Sequence, residues 1–277
     1  MKIPFRPDLS DKVIAITGAG GVLMSGFAEA LAECGAKVAL LDLNYEAAKS
    51  VADRIGERAL AIGTNCLDKN SLIAAKAEVN SKFGKVNFLI NGAGGNNARA
   101  TTACETFGEP IPDGAKDFFG LDESGIRFVF DLNITATFLT TQVFAADMTE
   151  TGGNIINISS MNAFTPLTKI PAYSAAKAGV SNFTQWLAVH FAPAGIRVNA
   201  IAPGFFATNQ NRALLFNEDG SLTARSGKII SQTPMKRFGT PEDLTGTLLW
   251  LADDNASGFV TGTIIPVDGG FSAYSGV

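Results

Sequence analysis

The 277-residue chain has few cysteines, few histidines and few charged side chains, and each shortage excludes a class of protein. The three cysteines, Cys34, Cys66 and Cys104, are odd in number and lack metal-ligand spacing, which excludes a disulfide framework and a cysteine-based zinc site. We therefore expect buried thiols in a reducing compartment. The chain has one histidine and no His/Asp/Glu cluster, so the sequence predicts no metal site.

The chain also lacks a basic excess. It has 22 basic and 26 acidic residues, a formal net charge of -4, and a negative chain does not attract polyanions. We therefore expect no nucleic-acid partner. Charged residues make up 17% of the chain, below the typical value of about 25%, which indicates that much surface is buried, in part against other subunits.

Long apolar runs are missing as well. The longest stretch without a formal charge, Ala178 to Ile196, is interrupted by Ser181, Asn182, Thr184, Gln185, His190 and Pro193. We therefore expect no membrane span. The first ten residues contain Pro4, Arg6, Pro7 and Asp8 where a signal peptide has an apolar run, so we expect a cytoplasmic location.

Six short β-rich runs bounded by glycine or asparagine alternate with longer helical patterns. The runs are Val13 to Thr17, Lys37 to Leu43, Val86 to Gly92, Asn154 to Ser160, Ile196 to Gly204 and Thr263 to Gly270. Alternating strands and helices indicate an α/β fold, with a doubly wound parallel sheet covered by helices on both faces. No linker or repeat divides the chain, so residues 1–277 are predicted to form a single domain.

Two regions have the composition of insertions after strand ends, near residues 95–132 and 207–238. The first is rich in Gly, Pro and Asp, and the second contains the polar stretch NEDGSLTARSGK. Loops in such places often carry substrate contacts. The alternative is that both are solvent loops without a function.

The first strand runs into TGAGGVLMSGFAEALAECG, a glycine-rich turn followed by a helix. Glycines there let the backbone approach a pyrophosphate, and the helix N-terminus supplies free N–H donors. Asp42 lies 24 residues beyond Gly18, near the spacing of about 20 for an acid that binds the adenosine ribose. Because a carboxylate repels a 2′-phosphate, and no Arg or Lys lies between Leu40 and Ala48, the pattern predicts a Rossmann-type fold that binds NAD rather than NADP.

A third signal is Ser160, Tyr173 and Lys177, with gaps of 13 and 4 residues. Residues four apart share one helix face, so Tyr173 and Lys177 can reach the same small site. A free tyrosine has a pKa of about 10, and lowering it to 7 requires about 4 kcal/mol of preferential stabilisation of the phenolate. A neighbouring ammonium and an oxidised nicotinamide could supply that. An isolated YxxxK is commonly a solvated helix face, but this one follows a strand end.

With these residues the chain resembles the short-chain dehydrogenase/reductase family over essentially its whole length. The matching segments are TGAGG (17–21), Asp42, NGAG (91–94), Asn133, INISS ending at Ser160, YSAAK (173–177), IRVNAIAPGFFAT (196–208), RFGTPEDL (237–244) and VTGTIIPVDGG (260–270). The resemblance implies that Tyr173 is the general acid/base and that Lys177 lowers its pKa and holds the nicotinamide ribose. It further implies that Ser160 holds the substrate oxygen and that Asn133 supports a water in a proton relay.

The resemblance also implies a set of cofactor contacts, and Thr208, with the backbone after Pro203 and Gly204, would hold the nicotinamide carboxamide. The full set is Gly18, Gly20, Gly21, Val22, Leu23, Asp42, Leu43, Asn65, Cys66, Asn91, Gly92, Ala93, Tyr173, Lys177, Pro203, Gly204, Phe206 and Thr208. The chain departs from the family pattern at several positions. Val22 and Met24 replace glycines, Gly92 replaces an asparagine, and Asn65-Cys66 replaces an Asp-Val pair.

Within the family, four segments resemble the D-mannonate oxidoreductase (fructuronate reductase) subgroup: GAGGVLMSGFAEAL, NGAGGNNA, PGFFATNQNRALLFNEDGSLT and SGFVTGTIIPVDGGFSAYSGV. That resemblance implies the reaction D-fructuronate + NADH ⇌ D-mannonate + NAD. The candidate loops supply polar residues for a sugar acid: Asn96, Asn97, Arg99, Asn209, Gln210, Asn211 and Arg212. Arginine is a bidentate donor suited to a carboxylate. We therefore predict Arg99 or Arg212 as the carboxylate anchor, with Ser160 and Asn209 as further substrate contacts.

Three alternatives remain open at this point. The chain could act on another polyol or keto acid, as a gluconate 5-dehydrogenase or a 3-oxoacyl carrier-protein reductase does, or it could be a nucleotide-sensing protein without turnover. The resemblance also implies a homotetramer built on the helix after Tyr173 and on the helix containing Asn133. His190, 17 residues after Tyr173, is expected to have a structural or interface position.

Overall fold

A computed structural model describes residues 3–207 and 212–276, and these form one parallel sheet of seven strands. The strands are β1 (Val13–Thr17), β2 (Lys37–Asp42), β3 (Ala59–Gly63), β4 (Phe88–Asn91), β5 (Gly153–Ile158), β6 (Ile196–Pro203) and β7 (Ile264–Val267). Their order in the sheet is β3-β2-β1-β4-β5-β6-β7. The order reverses between β1 and β4, where a doubly wound sheet opens its ligand crevice. The predicted fold class is confirmed.

The prediction of six strands was wrong by one, because it missed β3. This strand lies at the edge of the sheet and pairs with β2 alone, from Val38 beside Ala59 to Asp42 beside Gly63. Its five residues follow a helix end at Gly56 with only a short connection, and three of them are partly or fully exposed. A short, half-exposed run of Ala, Leu and Ile next to a helix has no period that separates strand from helix.

The described residues form ten α-helices. They are α1 (Val22–Glu33), α2 (Tyr45–Ile55), α3 (Lys69–Phe83), α4 (Glu123–Phe130), α5 (Ala136–Phe144), α6 (Pro171–Phe191), α7 (Arg212–Leu215), α8 (Ala224–Gln232), α9 (Pro241–Ala252) and α10 (Asp254–Ser257). One core cluster joins α1, α2 and α9 to the sheet, and a second joins α3, α5 and α6 to the opposite face. All residues of β1, β4 and β6 are buried, as a doubly covered sheet requires.

Helix starts follow from local side chains. Asn44, Asp68 and Asp122 accept hydrogen bonds from the first turns of α2, α3 and α4, which satisfies N–H groups that a helix leaves unpaired. The RFGTPEDL segment, one of the motifs that match the family, caps the N-terminus of α9 in the same way. Asp243 forms a capping box with Thr240 and a bidentate pair with Arg237 at 2.6 and 2.8 Å, and this pair lowers the pKa of Asp243 to about 2.

A π-helical turn, Asp131–Thr135, joins α4 to α5 and makes one continuous helical run, Glu123–Asp147. Among the described residues, this run alone is long and apolar enough to cross a membrane by length and composition. Half of its apolar window is buried inside the protein, where α5 packs against β4 and α3. We interpret it as a core helix.

Both predicted insertions contain short helices and lie side by side. The first holds a 3-10 turn, Ala98–Ala100, and the whole of α4, and the second holds α7 and α8. Lys228 on α8 donates to Glu105 of the first insertion at 2.7 Å. The N–H of Thr102 donates to the carbonyl of Lys169, shortly before Tyr173, at 2.9 Å. The first insertion therefore contacts the segment that leads into α6, and the second insertion contacts the first.

The three cysteines are buried and unpaired. Burial raises the pKa of the Cys66 thiol to about 11, so this thiol is protonated and unreactive at neutral pH. Across residues 3–207 and 212–276, no three His, Cys, Asp or Glu side chains come close enough together to hold a metal ion.

Candidate active site

A cavity of about 490 Å³ opens at the carboxyl ends of the central strands. Ten of the predicted cofactor residues line it: Gly18, Gly20, Gly21, Val22, Leu23, Asp42, Gly92, Ala93, Tyr173 and Lys177. The glycine turn, the acid after β2 and the Tyr/Lys pair are far apart in the chain, and the crossover order of the sheet brings them to one edge. The cavity therefore joins the candidate nucleotide site to the candidate chemical site.

The turn between β1 and α1 has a backbone that only small residues allow. Gly18 has a φ of +68°, and a Cβ on Gly20 would lie 2.6 Å from the Cβ of Ala47. The helix α1 begins after Gly21, and no side chain caps its N-terminus. Its first N–H groups are therefore free to bind an anion. This turn fits the pyrophosphate of a dinucleotide.

Asp42, at the end of β2, is fixed by two backbone donors. Its Oδ2 accepts from the N–H of Gly20 at 2.9 Å, and its Oδ1 accepts from the N–H of Asn44 at 2.8 Å. An ionised carboxylate has about four acceptor positions, so the two oxygens can still accept from ribose hydroxyls. The residues present thus fit the adenosine half of a dinucleotide without a 2′-phosphate.

Tyr173 and Lys177 lie one turn apart near the start of α6. The Nζ atom of Lys177 lies 5.7 Å from the centre of the Tyr173 ring and donates to the carbonyl of Ile158 at 2.8 Å. Lys177 is buried, and burial lowers its pKa to about 8. The ammonium is thus held at the end of β5 by a strand carbonyl, beside the phenol.

Burial raises the pKa of Tyr173 above its ordinary value, and a hydrogen bond with Ser160 opposes this effect. The predicted lowering is therefore absent in the isolated chain, because the desolvation of the phenolate outweighs the polar contact. The sequence prediction relies on a second positive charge, that of an oxidised nicotinamide, in addition to the Lys177 ammonium.

Ser160 is positioned by a contact that the sequence did not reveal. The backbone N–H of Asn162 donates to the Ser160 hydroxyl oxygen at 3.2 Å. With one acceptor position filled, the hydroxyl keeps its own proton for another acceptor, and its contact with Tyr173 stabilises the phenolate. Asn162 is itself buried, and its side-chain oxygen has no hydrogen-bond partner among the described residues.

Asn133 lies in the π-helical turn, and three hydrogen bonds to the backbone hold its side chain. Its Nδ2 donates to the carbonyls of Gly95 and Val129 at 2.8 and 2.7 Å, and its Oδ1 accepts from the N–H of Gly95 at 3.2 Å. The Thr137 hydroxyl donates to the Asn133 carbonyl at 2.8 Å. The side chain therefore fixes the loop after β4.

Several predicted cofactor residues lie outside the cavity lining. Asn91 is buried and its Nδ2 donates to Thr141 and Asn157 at 3.0 and 2.8 Å. Leu43 and Asn65 are exposed, whereas Cys66 packs in the core. Pro203 is the last residue of β6 and Gly204 follows it, and Phe206 lines a separate cavity of about 430 Å³ between the β6 and β7 ends. Thr208 lies outside the described residues.

The predicted substrate contacts lie outside the lining of the active-site cavity or outside the described residues. Arg99 and Arg212 are exposed, neither is among the cavity-lining residues, and the Arg212 guanidinium lies 5.2 Å over the Phe216 ring. Asn209 falls outside the described residues. Five lining residues were missed by sequence reasoning: Met24, Asn44, Ala47, Gly94 and Ile158. Of these, Gly94 carried a signal, because it belongs to the NGAG segment.

Fold and site together define a nucleotide-dependent oxidoreductase of the Rossmann class. A family model described as enoyl-(acyl carrier protein) reductase matches residues 23–272. The chain belongs to the short-chain dehydrogenase/reductase family, as the sequence motifs predict.

The chain is 56% identical to an uncharacterised oxidoreductase of Haemophilus influenzae, over 100% of this chain and 99% of the relative. It is 35% identical to the 2-dehydro-3-deoxy-D-gluconate 5-dehydrogenase of Dickeya dadantii, over 96% of this chain and 97% of the relative. A crystal structure of a Haemophilus influenza protein with bound NAD, provisionally described as a D-mannonate oxidoreductase, matches with a TM-score of 0.94 and 56% identity, covering 98% of each chain.

Proposed function

We propose that this oxidoreductase interconverts the alcohol and ketone forms of a sugar acid, D-mannonate and D-fructuronate, with NAD as the cofactor. One observation carries the proposal. The cavity that contains the uncapped α1 turn and Asp42 also contains Tyr173 and Lys177. A dinucleotide bound along this cavity would bring its nicotinamide end to an acid/base pair.

The residues present fit NAD, since Gly20 leaves room where a side chain would strike Ala47 and Asp42 disfavours a 2′-phosphate. A related protein of 56% identity was crystallised with NAD, which supports this choice. Gly18, Gly20 and Gly21 would hold the pyrophosphate, and Asp42 the adenosine ribose. When bound, NAD supplies the hydride acceptor for an alcohol, and NADH the donor for a ketone.

The protein's own residues handle the proton. Tyr173 moves a proton between its phenolic oxygen and the substrate oxygen, which is general acid/base catalysis. Ser160, fixed by the N–H of Asn162, donates to the substrate oxygen and aligns it with Tyr173. Lys177 donates to the Ile158 carbonyl and carries a positive charge that favours the phenolate. None of these steps requires a metal.

The substrate class rests on the polar composition of the two insertions that follow β4 and β6. Their asparagines and arginines suit the hydroxyls and the carboxylate of a sugar acid, whereas an acyl chain favours apolar contacts. Two relatives carry names of sugar-acid oxidoreductases, one for D-mannonate and one for 2-dehydro-3-deoxy-D-gluconate. The second name supports an alternative, oxidation of another hexonate. A 3-oxoacyl substrate and a non-catalytic sensor role are the remaining alternatives.

A substrate panel tests the proposal. The purified enzyme is assayed by NADH absorbance with D-fructuronate, 5-keto-D-gluconate, 2-dehydro-3-deoxy-D-gluconate in the oxidative direction, and an acetoacetyl thioester. The highest kcat/KM is expected with D-fructuronate. A preference for another hexonate overturns the substrate but not the class, and preference for the thioester overturns the sugar-acid assignment. Turnover of no compound, with intact NAD binding, favours the sensor role.

We also propose a homotetramer in the cytoplasm. The outward side of α5 and α6 carries Phe138, Trp186 and Val189, with exposures of 40%, 56% and 79% in the single chain. Phe138, Phe183, Trp186 and His190 form a continuous aromatic stack along this surface. Such an apolar surface is typical of an interface between subunits. His190 has an interface position in this arrangement, away from Tyr173.

A further inference from the structure

Two departures from the family's motifs, Met24 and Gly92, meet in the structure. A Cβ atom on Gly92 would lie 2.2 Å from the Sδ and 2.5 Å from the Cγ of Met24. Met24 is buried, with an exposed fraction of 4%, in the first turn of α1. The methionine therefore occupies the space that a side chain at position 92 would need. Met24 and Gly92 are far apart in the sequence, but their two departures from the family pattern meet in a single packing contact.

This contact lies where the glycine turn meets the end of β4. The Thr17 hydroxyl oxygen accepts from the N–H groups of Gly92 and Ala93 at 3.0 and 3.1 Å. A Cβ on Gly18 would lie 3.0 Å from the Cα of Ala93. The backbones of the turn and of the strand end are thus in direct contact, and a shift of one displaces the other. Both segments line the cavity with Met24 and Gly92.

From these contacts we infer that Met24 and Gly92 act as a coupled pair that positions the cofactor-binding turn. Met24 is a positioning residue, which packs between α1 and the end of β4 and holds the turn in the path that accepts NAD. Gly92 is required because a side chain there displaces the Met24 side chain from its place between α1 and the end of β4. This inference rests on NAD as the cofactor and is independent of the substrate.

One further contact sharpens the test. A Cβ on Gly92 would also lie 2.7 Å from the carbonyl oxygen of Thr17, which is backbone. If that carbonyl alone makes glycine necessary, removal of the Met24 side chain will not help. If Met24 is the main obstacle, its removal will let the strand end adjust by a few tenths of an ångström.

A double-mutant cycle in NAD affinity distinguishes these cases. Met24→Ala, Gly92→Ala and the double variant are compared by isothermal titration with NAD, with thermal unfolding measured in parallel. We expect Gly92→Ala to raise the dissociation constant about tenfold or more, and the double variant to recover most of this loss relative to Met24→Ala. Losses that simply multiply in the double variant overturn the coupling, as does a harmless Gly92→Ala.

The chain contains a matched control pair at the amino ends of the strands, away from the cavity at their carboxyl ends. A Cβ on Gly153, the first residue of β5, would lie 2.7 Å from the Sδ of Met148 and 2.8 Å from the carbonyl oxygen of Asn87. Gly153→Ala and Met148→Ala are expected to lower thermal stability without changing NAD affinity. An equal loss of NAD affinity in this pair shows a general packing effect and overturns the positioning role.

Folding of the variants also gives a decisive outcome. If Gly92→Ala fails to fold and the double variant folds, the coupling is supported. If neither folds while Met24→Ala does, the Thr17 carbonyl is the reason that position 92 requires glycine, and the coupling is overturned. The kcat at saturating NAD is a further readout, since a turn held in the wrong path raises the KM for NAD more than it lowers kcat.

Discussion

The Oδ2 atom of Asp42 accepts a hydrogen bond from the backbone N–H of Gly20 at 2.9 Å. The acid proposed to select the nucleotide is therefore bonded to the turn proposed to hold its phosphates, although the two residues belong to different strand ends. Both residues line the cavity, and the bond leaves the remaining lone pairs of the carboxylate for a ligand. The proposed sites for the ribose and the phosphates thus share one local structure.

Asp42→Asn is expected to change the cofactor preference. The amide keeps one acceptor oxygen but loses the charge that repels a 2′-phosphate, so the kcat/KM ratio of NADPH to NADH should rise about tenfold, equivalent to about 1.4 kcal/mol. The ratio is measured with one substrate and both nucleotides. Asp53→Asn, which changes an exposed acid paired with Lys49, is the control. An unchanged ratio in Asp42→Asn contradicts the role.

Tyr173→Phe is expected to lower kcat by about a thousandfold, because general acid/base catalysis by a positioned side chain contributes about that factor. NAD affinity and the thermal unfolding midpoint should stay close to those of the wild-type enzyme. The experiment combines steady-state kinetics with NAD titration. Retained turnover in the folded variant would show that another group carries the proton.

Lys177 should make stability depend on pH in the absence of cofactor. Its pKa is about 8 in the folded chain and 10.5 by its ordinary value, so between these values the unfolded chain binds a proton that the folded chain has lost. Stability relative to Lys177→Met should therefore rise with pH, by about 1.4 kcal/mol per unit, or roughly 2 kcal/mol from pH 8 to 9.5.

Urea unfolding of both proteins at pH 7, 8 and 9.5 measures this difference. The comparison with Lys177→Met cancels the titrating groups that do not interact with Lys177. Lys82→Met, which removes an exposed lysine on α3, controls for a general change in charge. If the stability of the wild type relative to Lys177→Met stays constant or falls as the pH rises, the lowered pKa of Lys177 is contradicted.

The carboxylate anchor is tested with Arg99→Ala and Arg212→Ala. Loss of a bidentate charged contact costs about 2 kcal/mol, which raises the KM for the sugar acid roughly thirtyfold while the KM for NADH is retained. Arg58→Ala, an exposed arginine next to β3, serves as the control. If the KM is unchanged in both variants, neither arginine holds the carboxylate.

The proposed subunit interface predicts that Val189→Asp yields a smaller species than the wild type. A carboxylate in the middle of an apolar interface loses its hydration without a partner, which opposes association. Light scattering coupled to gel filtration gives the mass. Ile73→Asp, which places the same charge on the exposed side of α3, should leave the mass unchanged. A wild-type monomer contradicts the proposal.

Much of the fold could be predicted because its signals are local. The apolar runs of β1, β2, β4, β5, β6 and β7 are bounded by turn residues, and the glycine turn precedes an amphipathic helix. The strand β3 was missed because it is short, half-exposed and adjacent to a helix end. The Tyr173 and Lys177 pair could be predicted because four residues make one helical turn. Asn162 could not, because its backbone N–H carries no sequence signal.

By itself the sequence determined the architecture and the nucleotide class and predicted an acid/base pair, because periodicity, glycine content and residue spacing act over a few turns of chain. Tertiary structure alone decided three matters: the raised pKa of Tyr173, the structural use of the Asn133 side chain, and the contact between Met24 and Gly92. Each of these depends on groups distant in the chain. Desolvation and steric exclusion are set by whatever atoms the fold places within a few ångströms, and spacing along the chain does not specify those atoms.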